Sequence, residues 1–177
     1  MREALPSRVG RRGLLAAGGV LGVVLGVGGC EPLTASQGST AEPAETPEAA
    51  PEVVFPLEEG PMTVHVELAR TEAERAKGLG GHDPLGPEDG MLFVFAQAAP
   101  HAFWMKGMTF PLDIMWIEDG QVVHLEHDLP PSGPEETDAT RPVFVPQAPA
   151  RYVLEVNAGF AEAHGIGVGS PVELSGI

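Results

Sequence analysis

Polar and apolar residues alternate with period two along Val64-His65-Val66-Glu67-Leu68, which puts Val64, Val66 and Leu68 on one face of a strand and His65 and Glu67 on the other. Further along, alternation gives way to continuous apolar runs. Met91-Leu92-Phe93-Val94-Phe95 leaves neither face for water and predicts a strand buried on both sides; residues 103–106 and 112–117 read the same way, joined by a connection over 107–111. Glu118-Asp119-Gly120 is a hairpin signal leading into a strand over 121–127, and residues 152–156 and 171–174 predict two more strands. Helical signals are few. Thr71 with Glu74 three residues on forms a capping box, and Ala73, Ala76 and Leu79 share a helical face before Gly80-Gly81 ends it. Residues 157–164 allow one or two helical turns closed by Gly165. The pattern predicts a single compact, mainly-β domain over residues 61–177, a sandwich or barrel-like fold with two short helices.

One stretch inside this domain has no periodicity. Residues 130–149 carry six prolines around Val143-Phe144-Val145, and a connection of that length in a compact domain is either functional or loosely ordered. Periodicity is also absent before the domain. Residues 30–60 are rich in Pro, Glu and Ala, cannot repay the entropy of ordering, and read as a disordered tether. Partly extended and self-repelling, such a segment would let a domain stand up to about 80 Å from its anchor.

Residues 1–29 read as an export signal. Arg2, Arg8, Arg11 and Arg12 form a positive region ahead of an apolar run of 16 residues, Leu14 to Gly29. As a helix that run spans about 24 Å, short of the roughly 30 Å hydrocarbon core, so cleavage is expected rather than retention. Leu25-Gly26-Val27-Gly28-Gly29-Cys30 resembles a bacterial lipobox, which implies acylation of Cys30 and attachment to the membrane through an N-terminal lipid; a plain secretory signal is the alternative. Arg11-Arg12-Gly13-Leu14-Leu15 also resembles the twin-arginine motif, which would export the domain already folded. Both readings place the domain outside the cytoplasm, on the periplasmic face or at the outer membrane.

Charge narrows the partners. From Cys30 onward the chain holds six basic and 24 acidic residues, a net of −18, which argues against nucleic acid. Cys30 is the only cysteine, so the domain has no internal disulfide and depends on packing.

Candidate chemistry is sparse. No serine sits in a Gly-x-Ser-x-Gly elbow, and no phosphate-binding glycine loop follows a strand. His124, Glu126 and Asp128 share a strand face, with His127 on the other; they are either three metal ligands awaiting a fourth or a solvated face, and no metal or cofactor is assigned. The informative stretch is 103–117, the most apolar part of the chain, which contains both tryptophans and one opposed charge pair. Trp104 and Lys106 share a side of their strand, and Asp113 opens the next strand within cross-strand reach of Lys106. Lys106 and Asp113 therefore form either a buried structural pair or, with Trp104 and Trp116, the polar groups of an otherwise apolar ligand cleft.

Several of these segments together carry a resemblance. Lys77-Gly78-Leu79, Asp89-Gly90-Met91-Leu92-Phe93-Val94-Phe95, Phe103-Trp104-Met105-Lys106, Pro111-Leu112-Asp113-Ile114, Tyr152-Val153-Leu154-Glu155 and Gly165-Ile166-Gly167-Val168-Gly169 resemble, in order and spacing, the bacterial and archaeal Domain of Unknown Function 192 family over about residues 61–174. The resemblance implies a compact β-rich domain, often exported, and carries over no catalytic residues. Gly80 and Ser170 depart from it, standing where the family often has methionine and aspartate. The resulting expectation is a membrane-tethered extracytoplasmic lipoprotein whose β-domain is a non-enzymatic binding or accessory module for a small ligand or an envelope protein. A metal-dependent or hydrolytic enzyme and a purely structural envelope protein are the alternatives.

Overall fold

The computed structural model describes residues 49–133, 135 and 137–177, all within the unit Ala44–Ile177, and its first strand, β1 (Glu52–Leu57), falls inside the stretch whose composition predicts a tether. Prolines and glutamates around it mask a short alternation. Val53 and Phe55 are fully buried and Glu52 and Val54 are not, so the ordered domain begins before residue 61. The export signal, Cys30 and residues 30–48 of the tether lie outside the described residues.

The fold is mainly β with two short helices. After β1 come β2 (Gly60–Ala69), α1 (Glu72–Lys77), β3 (Asp89–Ala99), β4 (Leu112–Glu118), β5 (Gln121–Leu129), β6 (Ala150–Asn157), α2 (Phe160–Ala163) and β7 (Glu173–Ser175). They build one seven-stranded mixed sheet in the order β5-β4-β6-β3-β2-β1-β7, parallel only between β2 and β3, where α1 makes the crossover. The sheet curves without closing into a barrel. One corner of β5 is tied to the approach to β7 by Val122 N–H to Ser170 O (3.0 Å) and Val172 N–H to Gly120 O (2.8 Å), but no ladder joins the two edge strands.

Local chemistry explains the connections. Thr71 Oγ1 accepts from Glu74 N–H while Glu74 Oε2 accepts from Thr71 N–H, so the capping box starts α1 where the sequence predicts it. Asp119 and Gly120 have φ of 48° and 73°, the positive pair that a two-residue type I′ hairpin requires between β4 and β5.

Both faces of the sheet are covered, which is why residues 91–95 of β3 and 114–117 of β4 are continuously apolar. One face packs Val53, Val64, Leu92, Met115, Leu154 and Val156 against Phe160 and Ile166. The other packs Met91, Phe93, Ile114, Trp116 and Val153 beneath Leu79, Phe103, Met105 and Met108. Residues 103–106, predicted as a strand, belong to this cover instead. Only Phe103 pairs, exchanging two backbone hydrogen bonds with Phe144 (2.9 and 2.8 Å). Apolarity alone does not separate a central strand from a loop laid across one. The excursion over 130–149 is fastened to the same loop, since Ser132 Oγ donates to Met105 O (2.7 Å) and Arg141 Nε donates to Ser132 Oγ (2.9 Å).

Candidate functional site

β6 runs through the middle of the sheet between β3 and β4, and on it Glu155 lies opposite Met91 on one side and Ile114 on the other. Its side chain is therefore directed to the face covered by Leu79, Met105 and Met108. Glu155 is 5% exposed, and among the described residues nothing donates to or accepts from its carboxyl. Burial pushes its pKa up from 4.5 to about 8, with no opposing cause. At pH 7 the group is accordingly a neutral acid, holding a proton with no acceptor. Buried polar groups almost always find partners, so this one marks a place where the fold accepts a cost.

A cavity of about 330 Å³ opens onto Glu155. Burial orders its lining. Glu155, Leu79, Phe103 and Met108 form the inner part, while Trp104, Lys106 and Lys77 are exposed at the mouth. One wall is the end of α1 and the turn after it. There Gly78 adopts φ 49°, and a Cβ at Gly80 would come within 3.1 Å of Lys77 O and 3.2 Å of Lys106 O, so the glycine lets the turn and the 103–108 loop approach closely. The opposite wall is aromatic. Phe103 stands edge-on to Phe93 (4.9 Å between centroids) and to Trp116 (5.8 Å), which fixes its ring beside the cavity.

At the mouth, Lys106 Nζ lies 5.1 Å from the centroid of the Trp104 ring and Arg141 Cζ lies 5.9 Å from it. Both cations bond Asp138, at 2.7 Å from Lys106 Nζ and 2.6 Å from Arg141 Nη1. The Lys106 bond, then the Arg141 bond, holds the Asp138 carboxyl below its usual range.

Of the four residues singled out by sequence, two meet here and two do not. Trp104 and Lys106 line the cavity; Asp113 and Trp116 are absent from its lining. Lys106 and Asp113 form no pair. Asp113 points to the opposite face, fully buried, where Oδ1 accepts from Asp128 N–H (2.9 Å) and Gly159 N–H (3.2 Å) and Oδ2 accepts from Ala161 N–H (2.9 Å). It pins α2 and β5 to β4. Trp116 is also fully buried and donates its indole N–H to His101 O (2.9 Å), so it supports Phe103 from below. The expected clustering fails because 103–106 is not a strand, so cross-strand reach does not apply. His124 Nε2 lies 3.2 Å from Glu126 Oε1, and among the described residues no three His, Cys, Asp or Glu side chains are gathered to hold a metal.

The segments that build this site are those that carry the family pattern, and the family described as Uncharacterized ACR, Domain of Unknown Function 192, matches residues 55–174. The chain belongs to the Domain of Unknown Function 192 family. Two solved structures are similar to it. One is described as a putative transcription regulator from Sinorhizobium meliloti 1021, 30% identical with a TM-score of 0.63, covering 72% of this chain and 96% of its own. Another is a protein of unknown function from Novosphingobium aromaticivorans DSM 12444, 33% identical with a TM-score of 0.61, covering 69% and 83%. No curated protein matches the chain. Within this Domain of Unknown Function 192 chain, sequence reasoning passed over Glu155, reading residues 152–156 only as a strand. The available signal was a lone acid in Tyr152-Val153-Leu154-Glu155-Val156, the same argument that drew attention to Lys106 and Asp113.

Proposed function

We propose that this domain is a non-enzymatic binding module that receives a small ligand in the cavity between Trp104 and Glu155, and that the chain works outside the cytoplasm, tethered to the membrane through Cys30. The observation that carries the binding reading is the buried, unpartnered Glu155 carboxyl at the inner end of an open cavity. A ligand oxygen there would satisfy a proton that the fold leaves unsatisfied. The lining offers that acid no hydroxyl, thiol or imidazole as a catalytic companion, which favours binding over hydrolysis. A role on nucleic acid, as the description of the Sinorhizobium protein would suggest, meets the obstacle of a −18 charge from Cys30 onward.

A fragment screen followed by backbone NMR tests the binding reading. Hits are expected to shift the amides of Gly80, Trp104 and Met108 together and to lose that effect in Glu155→Leu. A screen in which no compound moves these three amides would overturn it.

The anchoring reading is tested separately. Cys30→Ser is expected to abolish lipid labelling and release the protein to the soluble fraction, because acyl chains contribute about 0.8 kcal/mol per buried CH₂ and the tether contributes none. Unchanged membrane association in that variant would contradict it.

A further inference from the structure

The charges around the cavity are the reverse of those on the rest of the domain. Of the six basic residues from Cys30 onward, three, namely Arg75, Lys77 and Lys106, line it, whereas among the described residues Glu155 is the one acid that does. Positive charge is thus gathered at a single opening in a strongly acidic chain, where it focuses the field on an approaching anion. Arg75 lines the wall formed by α1, but its guanidinium donates to the backbone oxygens of Arg70 and Val94 and lies over the Phe95 ring, 5.0 Å from the centroid, so Lys77 and Lys106 are the lining cations left to meet an anion. Lys106 is held over the Trp104 ring and is met there by a carboxylate, that of Asp138, which Arg141 also grips. The molecule therefore displays the contact it would offer to a ligand: an anion against Lys106 beside the face of an indole. Further in, the walls are apolar, and at the end stands a carboxyl able to donate.

Resting on the binding reading above, we propose that the ligand is a small organic anion whose apolar body carries an inner carbonyl or ether oxygen: Lys77 and Lys106 receive the anion, and Glu155 donates to the inner oxygen. Asp138 then acts as an internal competitor for Lys106, displaced when the ligand enters. Apart from the cations Arg75, Lys77 and Lys106, no charged side chain shares the cavity lining with Glu155 among the described residues. Its neighbours on β3 and β4, Met91, Phe93 and Ile114, are apolar, and the 103–108 loop contributes only Lys106.

Three probes of similar size separate the parts of this proposal. Levulinate has a carboxylate and an inner ketone, valerate has the carboxylate alone, and pentylamine replaces the anion with a cation. In NMR titrations of the full chain, levulinate is expected to shift Gly80, Trp104 and Met108 saturably, valerate to bind about tenfold more weakly for want of the Glu155 hydrogen bond, and pentylamine not to bind. Glu155→Leu is expected to erase the preference for levulinate over valerate, and Asp138→Asn to tighten both carboxylates several-fold by freeing Lys106. Circular dichroism and the NMR spectrum establish that each variant is folded. Pentylamine binding in place of levulinate would overturn the anionic assignment while leaving the cavity a binding site. Equal affinity for levulinate and valerate in the wild type would overturn the role of Glu155. No binding of either carboxylate would overturn this ligand class, and the fragment screen then decides separately whether the cavity binds at all.

Discussion

Asp113→Ala is expected to cost the fold about 3 kcal/mol, whereas Lys106→Met is expected to cost less than about 1 kcal/mol. The contrast follows from where the two charges end up. Asp113 is completely buried, and its carboxylate accepts the backbone N–H groups of Asp128, Gly159 and Ala161, which belong to the end of β5 and the start of α2. Alanine would strand the Ala161 N–H in the core and release two segments at once. A group left unsatisfied in the interior forfeits its full desolvation energy, which is why the loss is large against a total stability of about 5–15 kcal/mol. Lys106 holds an exposed pair with Asp138, and water and salt replace such a contact at little cost. Denaturant midpoints of the two single variants and the double variant measure this. The account predicts additive losses, since the residues lie on opposite faces of the sheet; a coupling above about 1 kcal/mol would contradict it.

A second large effect concerns pH. The folded chain keeps the Glu155 proton up to about pH 8, while the unfolded chain releases it near the ordinary value of 4.5. Between those values the native state binds more protons than the unfolded state, so stability falls as pH rises. Below 4.5 the acid is protonated in both states and the penalty vanishes; above about 8 it is ionised in both and the penalty is complete. The loss by neutral pH is on the order of 3 kcal/mol. Glu74 and Asp138 act in the other direction. Hydrogen bonds, from the Thr71 backbone for Glu74 and from Lys106 for Asp138, hold both carboxyls below their usual range, so the stability they contribute is lost only as pH drops into the acid region. Across pH 5 to 8 neither of these two carboxyls opposes the downward slope that Glu155 contributes. Glu155→Leu is expected to flatten it and to raise stability at pH 8, at the expense of binding. Unfolding free energies measured across that interval check this, and a slope unchanged in the variant would show that Glu155 is not its source.

These two residues also mark how far the sequence is legible. Strand positions in β2 to β6 can be read because their apolar runs and turn residues are local: Asp119-Gly120 forces its hairpin, and Thr71 with Glu74 forces the start of α1. β1 was obscured, since Val53 and Phe55 sit among prolines and glutamates and only pairing with β2 and β7 makes them a strand. The site is legible by halves. Trp104 and Lys106 are legible as an aromatic and a polar group in an apolar stretch, but the expected cross-strand reach from Lys106 to Asp113 does not hold, because residues 103–106 form a loop rather than a strand paired with β4. Glu155 is visible in its own segment as a lone acid, but its burial is not. Period-two alternation puts it with Val153, on a face that water would reach if β6 were at an edge; only the strand order, with β6 central and the 78–81 and 103–108 turns laid over it, makes that face an interior.

The claim on which the functional reading rests is that Glu155 is a neutral, partnerless acid in the free protein. Carbon NMR of its side-chain carboxyl, followed as pH is raised on the folded chain, observes this directly. The account predicts a single titration near pH 8 that moves when a ligand occupies the cavity. Titration near the ordinary value of 4.5, unaffected by any compound that enters the cavity, would contradict it.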